Sequence, residues 1–319
     1  MSTTTSSEII TQSGRTLILS EEDRACLDEF EAMLDLIRDR TRSVADRYQA
    51  GAYLVGRPGS SKTFTVHETL ERLDTPWTYR NSRMSPMGLY CLLEEHPEHV
   101  VVLDDIHTLF GQDAALQILM AALGGRPGQG RTVTYTTRDE RKSFEFSGGV
   151  IAISNLPLGR DPLADAVASR VARLEHEPSD EMIAAFMRSQ ALKGFEDVSP
   201  GECLEVAEFV IAETRACDHR LDLRAMNKAW QDYRLDLHGK ANRTWQDLVR
   251  SSLKRLVGED RPRHEGRAAR LARERKVAQE LFERFPDDKA QRDAEWNRLV
   301  GSSPDSLYRR KRDLDRSGG

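Results

Sequence analysis

The residues best suited to chemistry lie in the string Gly56-Arg57-Pro58-Gly59-Ser60-Ser61-Lys62-Thr63, between the apolar run Ala52 to Val55 and a helical stretch from Phe64 to Leu73. A loop with glycines at 56 and 59 can turn its backbone N–H groups inward around a polyphosphate, and a helix that starts beside it adds partial positive charge. Lys62 supplies an ammonium for terminal phosphates, and Thr63 supplies a hydroxyl for Mg²⁺. Gly56, Gly59, Ser60, Ser61, Lys62 and Thr63 are therefore the candidate nucleotide-binding set, with ATP and Mg²⁺ as the implied ligands. The string departs from GxxxxGK[ST] at one place, where Ser61 replaces the second glycine. A residue that opens a helix needs no positive φ, so Ser61 is expected to keep its N–H in place at small steric cost.

A second string, Val100-Val101-Val102-Leu103-Asp104-Asp105, reads as a buried strand ending in two carboxylates. Ligands of open α/β sheets bind at the carboxyl ends of strands, so these acids should face the same crevice as the loop. Adjacent side chains leave a strand on opposite sides. Asp104 is assigned to Mg²⁺ together with Thr63, and Asp105 to polarising an attacking water.

The elements that must position these residues follow from short apolar runs alternating with helical stretches. Ala52 to Val55, Val100 to Leu103 and Val150 to Ile153 are too brief for helices, and their unbroken apolar character predicts a parallel sheet covered on both faces, an α/β fold. A helix capped by Ser20 carries Leu27, Phe30, Met33, Leu34 and Ile37 at helical spacing and is expected to reach about Tyr48. Thr132 to Tyr135 and Ser143 to Phe146 read as a hairpin with Arg138, Asp139, Glu140 and Arg141 at its tip. From Ser179 to Leu256 only helical periodicity remains, and a basic helix follows from about Gly266 to Phe285. The expected organisation is a disordered lead over residues 1–19, an α/β nucleotide-binding subdomain over 20–178, a helical subdomain over 179–258 and a basic helical tail over 259–319.

A chain of 319 residues with 39% hydrophobic and 31% charged residues is long enough for about two domains and is typical of a soluble globular protein. No run approaches the length of a membrane span, and Met1 to Gln12 lacks the basic-then-apolar order of a secretory signal. A cytoplasmic protein without membrane contact is expected. Cys26, Cys91, Cys203 and Cys217 form no CxxC pair and read as reduced core thiols. His107 follows the acidic pair without a metal partner at ligand spacing, and Trp77, Trp230 and Trp245 fit packing positions. Charge is uneven: from Arg261 to the end, 16 Lys/Arg face 11 Asp/Glu, a net +5, which leaves −10 for residues 1–260. A basic tail on an acidic body is the asymmetry that favours contact with nucleic acid.

From about Tyr48 to Leu256 the chain resembles the AAA+ ATPases, a branch of the P-loop NTPases. That resemblance implies a parallel sheet flanked by helices with a small helical lid. Asn155, after the run Gly149 to Ser154, resembles the residue called sensor 1, placed beside the γ-phosphate. Ala166-Val167-Ala168-Ser169-Arg170 resembles the segment of the arginine finger, which would carry Arg170 to the nucleotide of a neighbouring subunit. Leu221-Asp222-Leu223-Arg224 resembles sensor 2, with Arg224 on the γ-phosphate of its own subunit. Self-association into a hexamer-like ring or a filament is implied. Two departures stand out. The family's second acid is usually Glu, so the shorter Asp105 implies slower turnover. Ser61 is also unusual, although the MCM helicases resemble this chain in carrying a small non-glycine residue there. Ser82 to His96 with the strands that follow looks most like AAA+ proteins of phages and plasmids.

The tail from Asp293 to Leu314 has the layout of a helix-turn-helix and resembles the DNA-binding ends of bacterial regulators. Trp296, Leu299, Val300, Leu307 and Leu314 would face inward, Gly301 would turn, and Ser303 with Pro304 would open the second helix. Ser306, Arg309 and Arg310 would then reach a major groove, with Lys311 and Arg312 nearer the phosphates. An amphipathic hairpin packed on the body or on a partner fits the same pattern. The functional expectation is an oligomeric Mg²⁺-dependent ATPase working on DNA or a DNA–protein complex in replication, recombination or a mobile-element process. The alternative is a protein remodeller resembling the MoxR chaperones, whose terminal helices hold a client. A transcriptional activator is disfavoured, because no GAFTGA loop lies between Lys62 and Asp104.

Overall fold

The computed structural model describes residues 9–10, 16–17, 19–81, 83–105, 109, 111–136, 141–157, 162–258, 267–286, 288–300 and 307–311. The chain divides into two compact units, residues 1–254 and 255–319. Within the lead, β1 (Ile9–Ile10) pairs antiparallel with β2 (Thr16–Leu17); the other residues up to 18 lie outside the described residues.

Helix α1 (Glu21–Ala45) starts where the Ser20 side chain accepts from the Asp23 N–H, and Glu21, Glu22 and Asp23 lie against its positive end. It stops at Ala45 rather than near Tyr48, because Asp46 caps it and Arg47 turns out of the helix at φ 63°. The α/β alternation follows: β3 (Gly51–Gly56), α2 (Lys62–Arg72), β4 (Trp77–Arg80), α3 (Pro86–Glu95), β5 (Val100–Asp104) and α4 (Asp113–Leu123). An antiparallel hairpin, β6 (Arg131–Thr136) with β7 (Arg141–Phe146), precedes β8 (Gly149–Ser154), α5 (Pro162–Ala168) and β9 (Ala172–His176). The tip residues Arg138, Asp139 and Glu140, and also His107, lie outside the described residues.

Five strands form one parallel sheet in the order β4-β5-β8-β3-β9. The three predicted apolar runs are its central strands. Alternation along them divides the core. Ala52, Leu54, Val100, Val102, Ile151 and Ile153 pack with α1, α2 and the helices after the sheet, whereas Tyr53, Val101, Leu103, Val150 and Ala152 pack with α3, α4 and α5. Burying a Val, Leu or Ile side chain is worth about 1.5–3 kcal/mol, so register is set from both faces.

After the sheet come α6 (Asp180–Ala191), α7 (Pro200–Ala216), α8 (Leu223–Leu237) and α9 (Trp245–Gly258). α6 packs on α1 through Phe186 against Phe30, with ring centroids 4.8 Å apart, and Arg188 reaches Asp23 at 2.7 Å. Ser199 and Glu202 close a reciprocal capping box on α7. Trp230 and Trp245 are buried as expected, and the Trp230 indole donates to the Cys203 carbonyl at 3.1 Å. All four cysteines are free, but only Cys203 is fully buried, which corrects the reading of four core thiols.

The second unit contains α10 (Arg267–Arg284), α11 (Lys289–Val300) and a helical turn over 307–311. Its core is Ala278, Leu281, Trp296 and Leu307, with Val300 packed against it. Leu299, assigned to the inner face, is instead 46% exposed. Gly301, Ser303, Pro304 and Leu314 lie outside the described residues. Among the described residues, no helix is long and apolar enough to cross a membrane.

Candidate functional site

Strand β3 runs through Gly56 and α2 begins at Lys62, so residues 57–61 reverse the chain at the carboxyl edge of the sheet. Gly59 has φ 66°, and a Cβ there would lie 1.8 Å from Oδ1 of Asp222, so the close approach admits only glycine. The Gly59 carbonyl accepts from the Leu223 N–H at 3.1 Å, which ties the loop to the start of α8.

Ser61 departs from its expectation. It sits in the left-handed region at φ 74°, ψ 4°, and the helix opens only after it. A non-glycine residue there costs about 1–2 kcal/mol, offset locally because the Ser61 carbonyl accepts from both the N–H and the hydroxyl of Thr65, each at 2.9 Å. Ser61→Gly is therefore expected to keep nucleotide affinity and to raise stability by up to about 1 kcal/mol, read from thermal denaturation. An unchanged or lower midpoint would mean that the loop carries no such strain.

Lys62 is 5% exposed, and its ammonium donates to the carbonyls of Gly56 at 2.8 Å and Arg57 at 2.6 Å and to Oδ1 of Asn155 at 3.2 Å. Burial pulls its pKa down to about 8, against the opposing pull of Glu177, Asp104 and Asp105; the Arg224 cation adds to the depression. The Thr63 hydroxyl donates to Oδ2 of Asp104 at 2.9 Å. Asp105 lies one residue beyond the end of β5 at φ 52°, so the assumed alternation along a strand does not separate the two acids; a left-handed turn does. Its Oδ1 accepts from the Asn155 amide at 3.0 Å. Asn155 thus bridges Lys62 and Asp105 from the end of β8, the strand between β3 and β5.

These side chains line a cavity of about 490 Å³, within the usual range for small-molecule sites. Gly59, Ser60, Ser61, Lys62, Thr63, Asp104, Asp105, Asn155 and Arg224 all border it. Its far wall comes from α6, α8 and the turn after α6, through Phe186, Gln190, Lys193, Phe195 and Trp230. Arg170 is exposed, donates to the Ala166 carbonyl at 2.5 Å and is not among the lining residues. Gly56 closes β3 behind the loop.

The donor set fits Mg²⁺. Thr63 and Asp104 present hard oxygens 2.9 Å apart, and neighbouring oxygens of an octahedral ion with bonds of about 2.0–2.1 Å are themselves ~2.9 Å apart.

Three residues of this site escape sequence reasoning. Tyr79, on the edge strand β4, donates its phenol to Oδ2 of Asp104 at 3.0 Å and so orients the acid from the side opposite the loop. Arg57 is 4% exposed; its guanidinium donates to the carbonyls of Pro178 and Leu221 and pairs with Asp180 at 2.8 Å. The buried His176 imidazole meets the Ser60 carbonyl at 2.9 Å through Nε2; burial pushes its pKa down, so the neutral ring donates there. Arg57 and His176 together hold the loop against the start of α6.

In the second unit Arg309 is exposed, but Arg310 pairs at 2.8 Å with Glu274, whose side chain is 3% exposed, and the Lys311 ammonium lies 5.6 Å from the Phe282 ring centroid. Ser306 and Arg312 lie outside the described residues. No protein-family model matches this chain, and no curated protein matches it significantly.

Proposed function

We propose that this chain is a Mg²⁺-dependent ATPase of the AAA+ kind that self-associates and couples ATP binding and hydrolysis to the remodelling of DNA or a DNA–protein complex. One observation carries the reading: Thr63–Asp104 and Lys62–Asn155–Asp105 are hydrogen-bonded chains that converge on one cavity beside a glycine-containing loop at a helix N-terminus. That is the constellation required to grip a triphosphate and orient a water. Thr63 and Asp104 would hold Mg²⁺, which when bound supplies charge neutralisation on the phosphate oxygens. Lys62 neutralises terminal phosphate, Asp105 accepts a proton from the attacking water, and Asn155 keeps both groups in register. Arg224 contributes a cation from the opposite wall, as a sensor 2 residue would. The exposure of Arg170 suits a finger directed at a neighbouring subunit, and on this reading α6 and α8, which line the cavity through Phe186, Gln190 and Trp230, would act as the lid. Titration calorimetry with ATP and Mg²⁺ tests the reading; the absence of binding heat across several temperatures would sink it.

The depressed Lys62 pKa has a measurable sign. In the free protein the folded state disfavours the proton and the unfolded state does not, so this group's contribution to stability rises with pH from about 8 to the ordinary lysine value. A bound polyphosphate restores the charge. Binding near pH 8 should therefore take up about half a proton, detectable as a dependence of the binding heat on the ionisation enthalpy of the buffer. Uptake of no proton there would show that Lys62 is already charged.

A protein remodeller is the second reading, favoured by the engagement of Arg310 with Glu274 and of Lys311 with Phe282, which leaves Arg309 as the exposed cation on that turn. In the full chain, Arg309→Ala should weaken duplex binding and lower the salt slope by about one. Arg310 is unsuited to this test, because removing it strands a buried carboxylate. An unaltered salt slope favours a protein client for this unit.

A further inference from the structure

The cavity occupies the carboxyl ends of the strands. At the amino ends stands a second charged group that the proposed ATPase chemistry does not use. Arg131, the first residue of β6, is 7% exposed and donates through Nε to the Phe146 carbonyl at 3.1 Å and through Nη2 to the Gly148 carbonyl. Arg47, just beyond α1, donates through Nη2 to the Glu98 carbonyl, and its Nη1 would lie 3.2 Å from a Cβ at Gly149. The Arg131 guanidinium is thus anchored on Gly148 and that of Arg47 on Glu98, with its Nη1 beside Gly149, so both stand at the entry to β8. In each of them Nη1 is shielded from solvent and has no hydrogen-bond partner.

That arrangement is unfavourable as it stands. An unpaired charged donor away from water loses its hydration without replacement, and two cations side by side add repulsion. Burial lowers the pKa of both arginines; the neighbouring Arg47 lowers that of Arg131 further, while Glu98 partly offsets Arg47. The nearby Glu145 carboxylate is engaged by the Thr132 hydroxyl. His99, before β5, feels the Arg47 charge as well, and its Nδ1 is shared with His96 at 2.9 Å. With other donors of each group bound to carbonyls, an anion seated between the two guanidiniums would accept one charge-assisted hydrogen bond from each free Nη1 and cancel their repulsion.

We propose that Arg47 and Arg131 bind a small free oxyanion of phosphate size at the amino ends of the central strands. Size follows from cover. The free nitrogens are closed to solvent, and the loop over residues 124–130 packs along the stems of both side chains: a Cβ at Gly128 would be 3.1 Å from Cβ of Arg47, and one at Gly125 3.7 Å from Cγ of Arg131. A polymer backbone cannot thread there, whereas a single ion can enter when that loop opens. Bound, it ties the end of α1 to the start of the β6–β7 hairpin.

The test uses inorganic phosphate against chloride at matched ionic strength, with thermal denaturation of the full chain as readout. The nucleotide loop can also take phosphate, so the measurement is made on Lys62→Ala as well as on the unaltered protein. At about 100 times its dissociation constant, phosphate should raise the midpoint of Lys62→Ala by about 5 °C and that of the unaltered protein by at least as much. Adding Arg47→Met to Lys62→Ala should abolish the rise, as should Arg131→Met. Arg131 ties two backbone carbonyls, so the partly exposed Arg47, which ties one, provides the variant that keeps its fold. A rise reproduced by chloride, one that vanishes with Lys62→Ala alone, or one that survives Arg47→Met overturns the proposal. Absence of any rise does the same and leaves a buried water as the partner of both groups.

Discussion

Lys62→Ala is expected to reduce ATP affinity by about 100-fold or more, a loss of about 3 kcal/mol, while leaving the protein folded. The binding loss follows from removing the ammonium of the loop, which charge-assisted hydrogen bonds to phosphate oxygens would require. The retained fold follows from the cost of that ammonium. Its pKa is pulled down to about 8 by burial, so in the free protein the charge is held against its solvation preference by the carbonyls of Gly56 and Arg57 and the amide oxygen of Asn155. Deleting it relieves a desolvated cation but strands its oxygen acceptors, of which the Arg57 carbonyl keeps the Ser60 hydroxyl, so the two effects offset and the thermal midpoint at neutral pH should move little. Calorimetry and denaturation on the same sample separate the two effects. Undiminished ATP binding would relocate the nucleotide site, and a collapsed midpoint would make Lys62 a structural residue.

The parts of this fold legible in the sequence are those whose side chains face apolar neighbours on both sides. β3, β5 and β8 are flanked by strands and covered above and below, so their middle residues are apolar or, at Tyr53, aromatic, and unbroken runs of such residues reveal them. The edge strands β4 (Trp77–Arg80) and β9 (Ala172–His176) were hidden for the opposite reason. Each pairs on one side only and mixes Arg, Thr, Glu and His with its apolar residues, so neither periodicity nor composition separates it from a loop. Two residues of the candidate site ride on those edges, Tyr79 and His176, and are hidden with them. Lys62, Thr63, Asp104 and Asn155 were legible because a loop after a buried strand and a polar residue at a strand's end are local signals. Ser61 and Asp105 stand out by position, but their left-handed backbone leaves no mark in a serine and only a faint one in an aspartate. Arg57 shows the remaining limit: a loop arginine reads as surface until carbonyls from residues 178 and 221 surround it.

Asp105→Asn should separate binding from turnover. The replacement keeps size and shape, and its side-chain carbonyl can still accept the hydrogen bond that Asn155 donates to Oδ1 at 3.0 Å. The link from Lys62 through Asn155 then persists, Thr63 and Asp104 are untouched, and ATP affinity should stay within about threefold. Basicity is what disappears. An amide cannot take the proton of an attacking water, and loss of a general base lowers kcat by about 10²- to 10⁴-fold. Asp105→Glu supplies the complementary arm. It restores basicity and adds a methylene of reach, but it places a longer side chain at φ 52°, where aspartate is better tolerated. If reach limits turnover, Glu raises kcat over Asp despite that strain; if the left-handed turn already aims the carboxylate correctly, Glu lowers it. Single-turnover phosphate release at saturating ATP and Mg²⁺ reads both variants. Normal release from Asp105→Asn would remove Asp105 from the chemistry and leave Asp104 as the acid with a role in it among the described lining residues.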